Sequence, residues 1–194
     1  MALPADPAAR HRAVADRFAD LVRGTADWDA PTPVAEWVAR DVVSHLIEWF
    51  PGFLAGGTSH RLPTGPAVSA DPLAAWQAHS EGVQALLDDP VAAESAFAHP
   101  YVPEQPLATA IDRFYTTDVF MHTWDLARAT GQADALDPTA CAEVLSGMEA
   151  MEKVIRSSGQ FGVRREVAAD APAQDRLMAF IGRDPAWRPP RRTP

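Results

Sequence analysis

Asp118 and His122 stand four residues apart in the run Asp118-Val119-Phe120-Met121-His122. On a helix that spacing places two side chains one above the other, close enough to chelate a single ion. The wider stripe reads Ile111, Tyr115, Asp118, His122 and Asp125, at intervals of 4, 3, 4 and 3. Three of its five members are ionisable where a core-facing helix would be apolar. A buried carboxylate is costly unless it is paired or bound to a cation, so this stripe calls for a partner. His45 supplies one, because it interrupts a second apolar stripe of Val42, Leu46 and Trp49. Two imidazoles and one carboxylate, with no fourth protein ligand in view, describe a divalent-metal site that keeps a position open for water or substrate. The same set also matches the facial triad of Fe(II) oxygen chemistry. Taken singly, each signal has an ordinary alternative: D-x-x-x-H is common on helices, and a lone His on an apolar stripe is usually a hydrogen-bonded core residue. Agreement between two stripes is what favours the metal. Asp125 is read as standing behind a ligand, as an acceptor or as a salt-bridge partner for Arg128.

Positioning these groups requires helices, and the sequence marks where they start. Asp6-Pro7, Asp71-Pro72 and Asp137-Pro138 each precede an amphipathic run. In such a pair the carboxylate accepts from orphan N–H groups of the first turn, and proline, which has none to offer, fits the first helical position. The first helix is predicted from Asp6 to a left-handed stop at Gly24, with Val14, Phe18, Leu21 and Val22 inward. The second, bearing His45, runs from about Val38 to Phe50 and ends at Pro51-Gly52; the third runs from Asp71 to the Asp88-Asp89-Pro90 turn. The fourth, bearing Asp118 and His122, is the longest, from about Ala108 to Thr130, closed by Gly131. A fifth spans Asp137 to about Ser158 with Gly159 as its stop, and a short sixth covers Ala173 to Gly182. Two long connectors, Gly52 to Ala70 and Asp88 to Leu107, are rich in Pro, Gly and small residues, and the second is expected to hold a short extended pair around Phe97, Tyr101 and Val102. The chain thus reads as all-α, a bundle with its loops gathered at an end where a ligand enters.

The chain has 194 residues, enough for one core, and is read as a single domain over 1–187 with a disordered tail over 188–194. Lys+Arg 17 against Asp+Glu 26 gives a formal charge of −9, which repels phosphate backbones and argues against nucleic acid as a partner. A single cysteine excludes a disulfide within the chain. No apolar run approaches the roughly 20 residues of a membrane span, and the start MALPADPAARHR lacks the apolar stretch of a secretion signal, so a cytoplasmic location is expected.

The remaining candidates are weaker. His79 shares a stripe with Trp76 and Val83, as a core residue or as a proton carrier reaching the cavity. His11 and His60 read as exposed and His99 as a loop residue. Cys141 reads as a small packing residue, with no basic neighbour in sequence to activate it. Arg164 and Arg165 read as a solvated turn, with guidance of an anionic substrate as the alternative. Gly56-Gly57 lacks the strand-to-helix setting of a phosphate loop.

The segments Ala30–Leu46 and Asp118–Gly131, above all His122-Thr123-Trp124-Asp125-Leu126-Ala127, resemble two hallmark stretches of the DinB/YfiT-like superfamily. More closely, the chain resembles actinobacterial metal-binding proteins related to the N-terminal domain of mycothiol-dependent maleylpyruvate isomerase; the ending Ala169–Leu177 is also similar. The resemblance implies a DinB-like four-helix bundle with one or two additional helices and long connecting loops. It also implies a divalent metal, zinc first with Fe2+, Ni2+ and Mn2+ as alternatives, held by His45, Asp118 and His122. The function it implies is a metal-dependent thiol transferase or isomerase: a low-molecular-weight thiol of the mycothiol type is deprotonated and attacks a small electrophilic substrate, in a pocket shaped by Trp49, Trp124 and the Gly52–Ala70 connector. A homodimer is a further implication. A non-catalytic metal or small-ligand binding module is the alternative, and no residue is assigned a catalytic role. Three departures limit the transfer. Val34 stands where many relatives have Cys, Asp118 where Glu or His is usual, and the isomerase's further C-terminal domain has no counterpart in this reading, so maleylpyruvate isomerisation is not carried over.

Overall fold

The structure is a computed structural model and describes residues 2–157 and 159–190. Its elements in chain order are α1 (Pro7–Gly24), α2 (Ala39–Gly57), α3 (Pro72–Asp88), the single turn α4 (Pro90–Ala93), an antiparallel pair β1 (Ala96–Phe97) and β2 (Gln105–Pro106), α5 (Leu107–Ala110), a π-helical stretch (Ile111–Thr116), α6 (Thr117–Thr130), α7 (Pro138–Glu149), α8 (Glu152–Ser157) and α9 (Ala173–Phe180). Helix α1 packs on α3 and α6, and α2 packs on the same two, so four helices close a ring around one core. Helices α7 and α9 pack on each other beside this ring. The architecture is all-α, as the sequence predicts, and no helix among the described residues is long and apolar enough to cross a membrane.

The Asp-Pro starts behave as their chemistry requires. Asp6 accepts from Ala9 N at 2.8 Å, Asp71 from Ala74 N at 2.9 Å and Asp137 from Ala140 N at 2.7 Å. Asp89-Pro90, read as a turn, is a fourth case and opens α4, with Asp89 accepting from Val91 N at 2.9 Å. Gly131 ends α6 in the left-handed region at φ 68°, also as predicted.

Four boundaries differ. Helix α2 does not stop at Pro51; it continues to Gly57, because Leu54 is buried in the core and Phe53 packs against it, which outweighs the one hydrogen bond a proline removes. The first connector is therefore shorter, starting at Thr58. Gly24 is not a left-handed stop but the last helical residue, and the extended Thr25 caps the helix instead. The predicted fourth helix is continuous from Leu107 to Thr130, but its Ile111–Thr116 stretch is π-helical. The predicted fifth helix is divided into α7 and α8; Ser158 lies outside the described residues. Of the tail, residues 188–190 are exposed coil and 191–194 lie outside the described residues.

Candidate metal centre

Helix α6 is buried nearly all round, with Val119, Phe120, Met121, Trp124, Leu126 and Ala127 packed among neighbours. Its polar stripe has nowhere to go but inward, toward α2. There His45 Nε2 lies 3.2 Å from Asp118 Oδ2, and His122 Nε2 lies 3.6 Å from Asp118 Oδ1. One donor atom from each of His45, Asp118 and His122 lies within 4.8 Å of the others. A tetrahedral ion with bonds near 2.0–2.1 Å needs ligand atoms about 3.4 Å apart, so the spacing and the nitrogen–nitrogen–oxygen donor set both fit a divalent cation. The three residues can hold a metal ion among them.

The surroundings hold Asp118 and crowd His122. Trp49, one turn beyond His45 on α2, donates its indole N–H to Asp118 Oδ2 at 3.0 Å. His122 Nδ1 lies 2.9 Å from Oδ2 of Asp125, which is wholly buried. Burial pushes the Asp125 carboxyl upward, but the Arg183 guanidinium and then His122 outweigh it and hold it below the usual carboxylate range. The partner of Asp125 is Arg183, at 3.0 Å, and not Arg128, which pairs with Asp134. Solvent reaches the centre through His45, whose side chain is 31% exposed against 7% for His122.

Sequence reading assigned no role to Trp37. Its ring lies 5.0 Å from the His45 ring and stacks on His122 at 5.7 Å and 17°, roofing both imidazoles. A loop that folds back on itself places it: Pro31 bridges Val38, Arg40 N donates to Trp28 O at 3.1 Å, and Glu36 adopts a left-handed φ of 66°. A non-glycine residue held there is strained, and strain of this kind gathers at functional sites. The signal available in sequence was a Trp ahead of the helix start, which by itself says nothing of direction.

Other expectations change. Trp124 does not line the centre, being fully buried with Arg128 over its ring at 5.0 Å. The connector after α2 lies along α3, where Pro63 and Leu62 meet Gly82. His11 is buried, not exposed, because Gln84 accepts from its ring across α1 and α3 at 2.9 Å. His79 is buried among Phe50, Trp76 and Tyr115 and is a core residue. Cys141 is fully buried and burial pushes its thiol up to about 12, which fits packing. Arg164 pairs with Glu149 and Glu152, and Arg165 donates to Gly182 O, so both hold the turn. Surface clefts of about 560 and 260 Å³ lie at residues 165–186 and beside Gly24, and no triad residue lines either.

The model of the mycothiol maleylpyruvate isomerase N-terminal domain matches residues 11–127, well over half the chain and all three candidate ligands. The chain belongs to that DinB-like family. Two Mycobacterium tuberculosis proteins, one from strain CDC 1551 / Oshkosh and one from strain ATCC 25618 / H37Rv, are each 33% identical over 183 residues, covering 92% of this chain and 98% of theirs. Both are described only as uncharacterized proteins. No solved structure matches the chain.

Proposed function

We propose that the protein is a zinc-dependent thiol transferase or thiol-assisted isomerase, acting in the cytoplasm on a small electrophilic substrate with a low-molecular-weight thiol of the mycothiol type. The observation that carries this is the convergence of His45, Asp118 and His122 within 4.8 Å, three donors with one partly exposed side. Family membership supports the thiol. A divalent ion held by His45, Asp118 and His122 would supply Lewis acidity, which lowers the pKa of a thiol. The reaction class this serves is addition of sulfur to an electrophilic carbon.

The chain's own residues do the rest. Trp49 holds one oxygen of Asp118 through its indole N–H, which fixes the carboxylate between the two imidazoles. Trp37 covers the imidazole faces and keeps water off that side, leaving the exposed edge of His45 as the approach.

The test loads purified protein with zinc and follows conjugation of mycothiol to a model electrophile. Wild type is expected to turn over and His122→Ala to lose activity by at least 100-fold; equal activity in the two ends the assignment. Zinc uptake without any conjugation favours a binding module instead. Elemental analysis of protein purified without added metal separates zinc from iron, and sedimentation velocity tests the homodimer that belongs to the same proposal.

A further inference from the structure

Asp125 is gripped from two sides. On one, His122 Nδ1 lies 2.9 Å from its Oδ2, a close contact off the line of a hydrogen bond. On the other, Arg183 donates Nε to Oδ1 at 3.1 Å and Nη2 to Oδ2 at 3.0 Å, the two-pronged contact that a planar guanidinium makes and an ammonium does not. Arg183 stands beyond the family-matched residues, in the turn after α9. Its backbone N–H donates to Met178 O at 2.9 Å. Gly182 makes that turn at φ 90°, where a Cβ would meet Gly162 Cα at 2.6 Å, so the approach of the chain to Asp125 has little freedom.

We infer that Arg183 is a positioning residue of the metal centre, acting through Asp125 to hold the His122 imidazole with Nδ1 toward the core and Nε2 toward Asp118 and His45. A carboxylate behind an imidazole selects the tautomer with its proton on Nδ1 and the lone pair of Nε2 free, the form a cation requires. A carboxylate with no exposure needs a compensating charge to remain at that post, and Arg183 is the cation that reaches it. The turn after α9 is thereby part of the centre's construction while contributing no ligand. This inference rests on the reading of His45, Asp118 and His122 as a metal site.

Three variants test it: Arg183→Met, Arg183→Lys, and the double variant Asp125→Asn with Arg183→Met, which removes both charges together and leaves no unpaired charge in the core. Zinc affinity is measured by competition with a chromophoric chelator, and the His122 tautomer by ring nitrogen NMR of metal-free, 15N-histidine-labelled protein. Wild type is expected to show His122 as the single Nδ1–H tautomer. The double variant is expected to keep its helical circular dichroism, bind zinc about 10–100-fold more weakly and show mixed tautomers. Arg183→Lys, which keeps the charge and loses the fork, is expected to fall between. A folded double variant with wild-type affinity and an unchanged tautomer overturns the role of Arg183. Zinc uptake that depends on His45 but not on residue 183 overturns this inference alone, and absence of zinc uptake by wild type overturns it together with the metal reading.

Discussion

At the scale of single residues, the chemistry of the centre is separable from its contribution to folding. Asp118 is mostly buried and accepts from Trp49, so Asp118→Asn retains an acceptor of the same shape while removing the charge a cation needs. Zinc affinity measured by chelator competition is expected to fall by at least tenfold, with the melting temperature of the metal-free protein within a few degrees of wild type. Cys141 provides a contrast. It is fully buried and its thiol is raised to about 12, so iodoacetamide at pH 8 is expected to leave it unmodified in native protein and to label it rapidly in urea. Native-state labelling would show that α7 opens more readily than its packing implies.

At the scale of elements, glycines at two helix ends predict different consequences for the same change. Gly131 closes α6 at φ 68° with nothing within 4 Å of where a Cβ would stand, so Gly131→Ala meets backbone strain alone. That strain costs about 1 kcal/mol, or roughly 2–4 °C in melting temperature for a chain of this size. Gly182→Ala adds a collision with the Gly162 backbone to the strain at φ 90°, and it displaces Arg183. Its melting temperature is expected to fall further and its zinc affinity to fall with it, whereas Gly131→Ala leaves affinity unchanged. Thermal melts with and without zinc distinguish the two. The Pro51 region shows why such boundaries resist sequence reading: a proline that ends most helices is overruled by the burial of Leu54 one turn later.

At the scale of the whole molecule, two buried imidazoles couple stability to pH. Burial lowers His11, opposed by its contact with Gln84, and burial followed by the nearby His11 lowers His79 to about 4. Both titrate below the ordinary 6.5 when folded, so above that pH neither distinguishes folded from unfolded chain. Below 6.5 the unfolded chain takes up protons that the folded core refuses, and stability is lost as the pH falls toward about 4. From His79 alone the loss between pH 7 and pH 5 is about 2 kcal/mol. Urea unfolding at the two pH values should show it, and His79→Phe should reduce the slope. An unchanged slope would mean that His79 is protonated in the folded state.

The sequence by itself determined the all-α class, the Asp-Pro helix starts, the Gly131 stop and the three candidate ligands, because capping and i, i+4 spacing are local consequences of residue type. Only the tertiary structure decided what surrounds them. Trp37 reaches His122 through a folded-back loop, Arg183 meets Asp125 across 58 positions of sequence, and His11 is buried by a helix 73 residues away. Those contacts depend on which helices become neighbours, and no residue's type or spacing states that in advance.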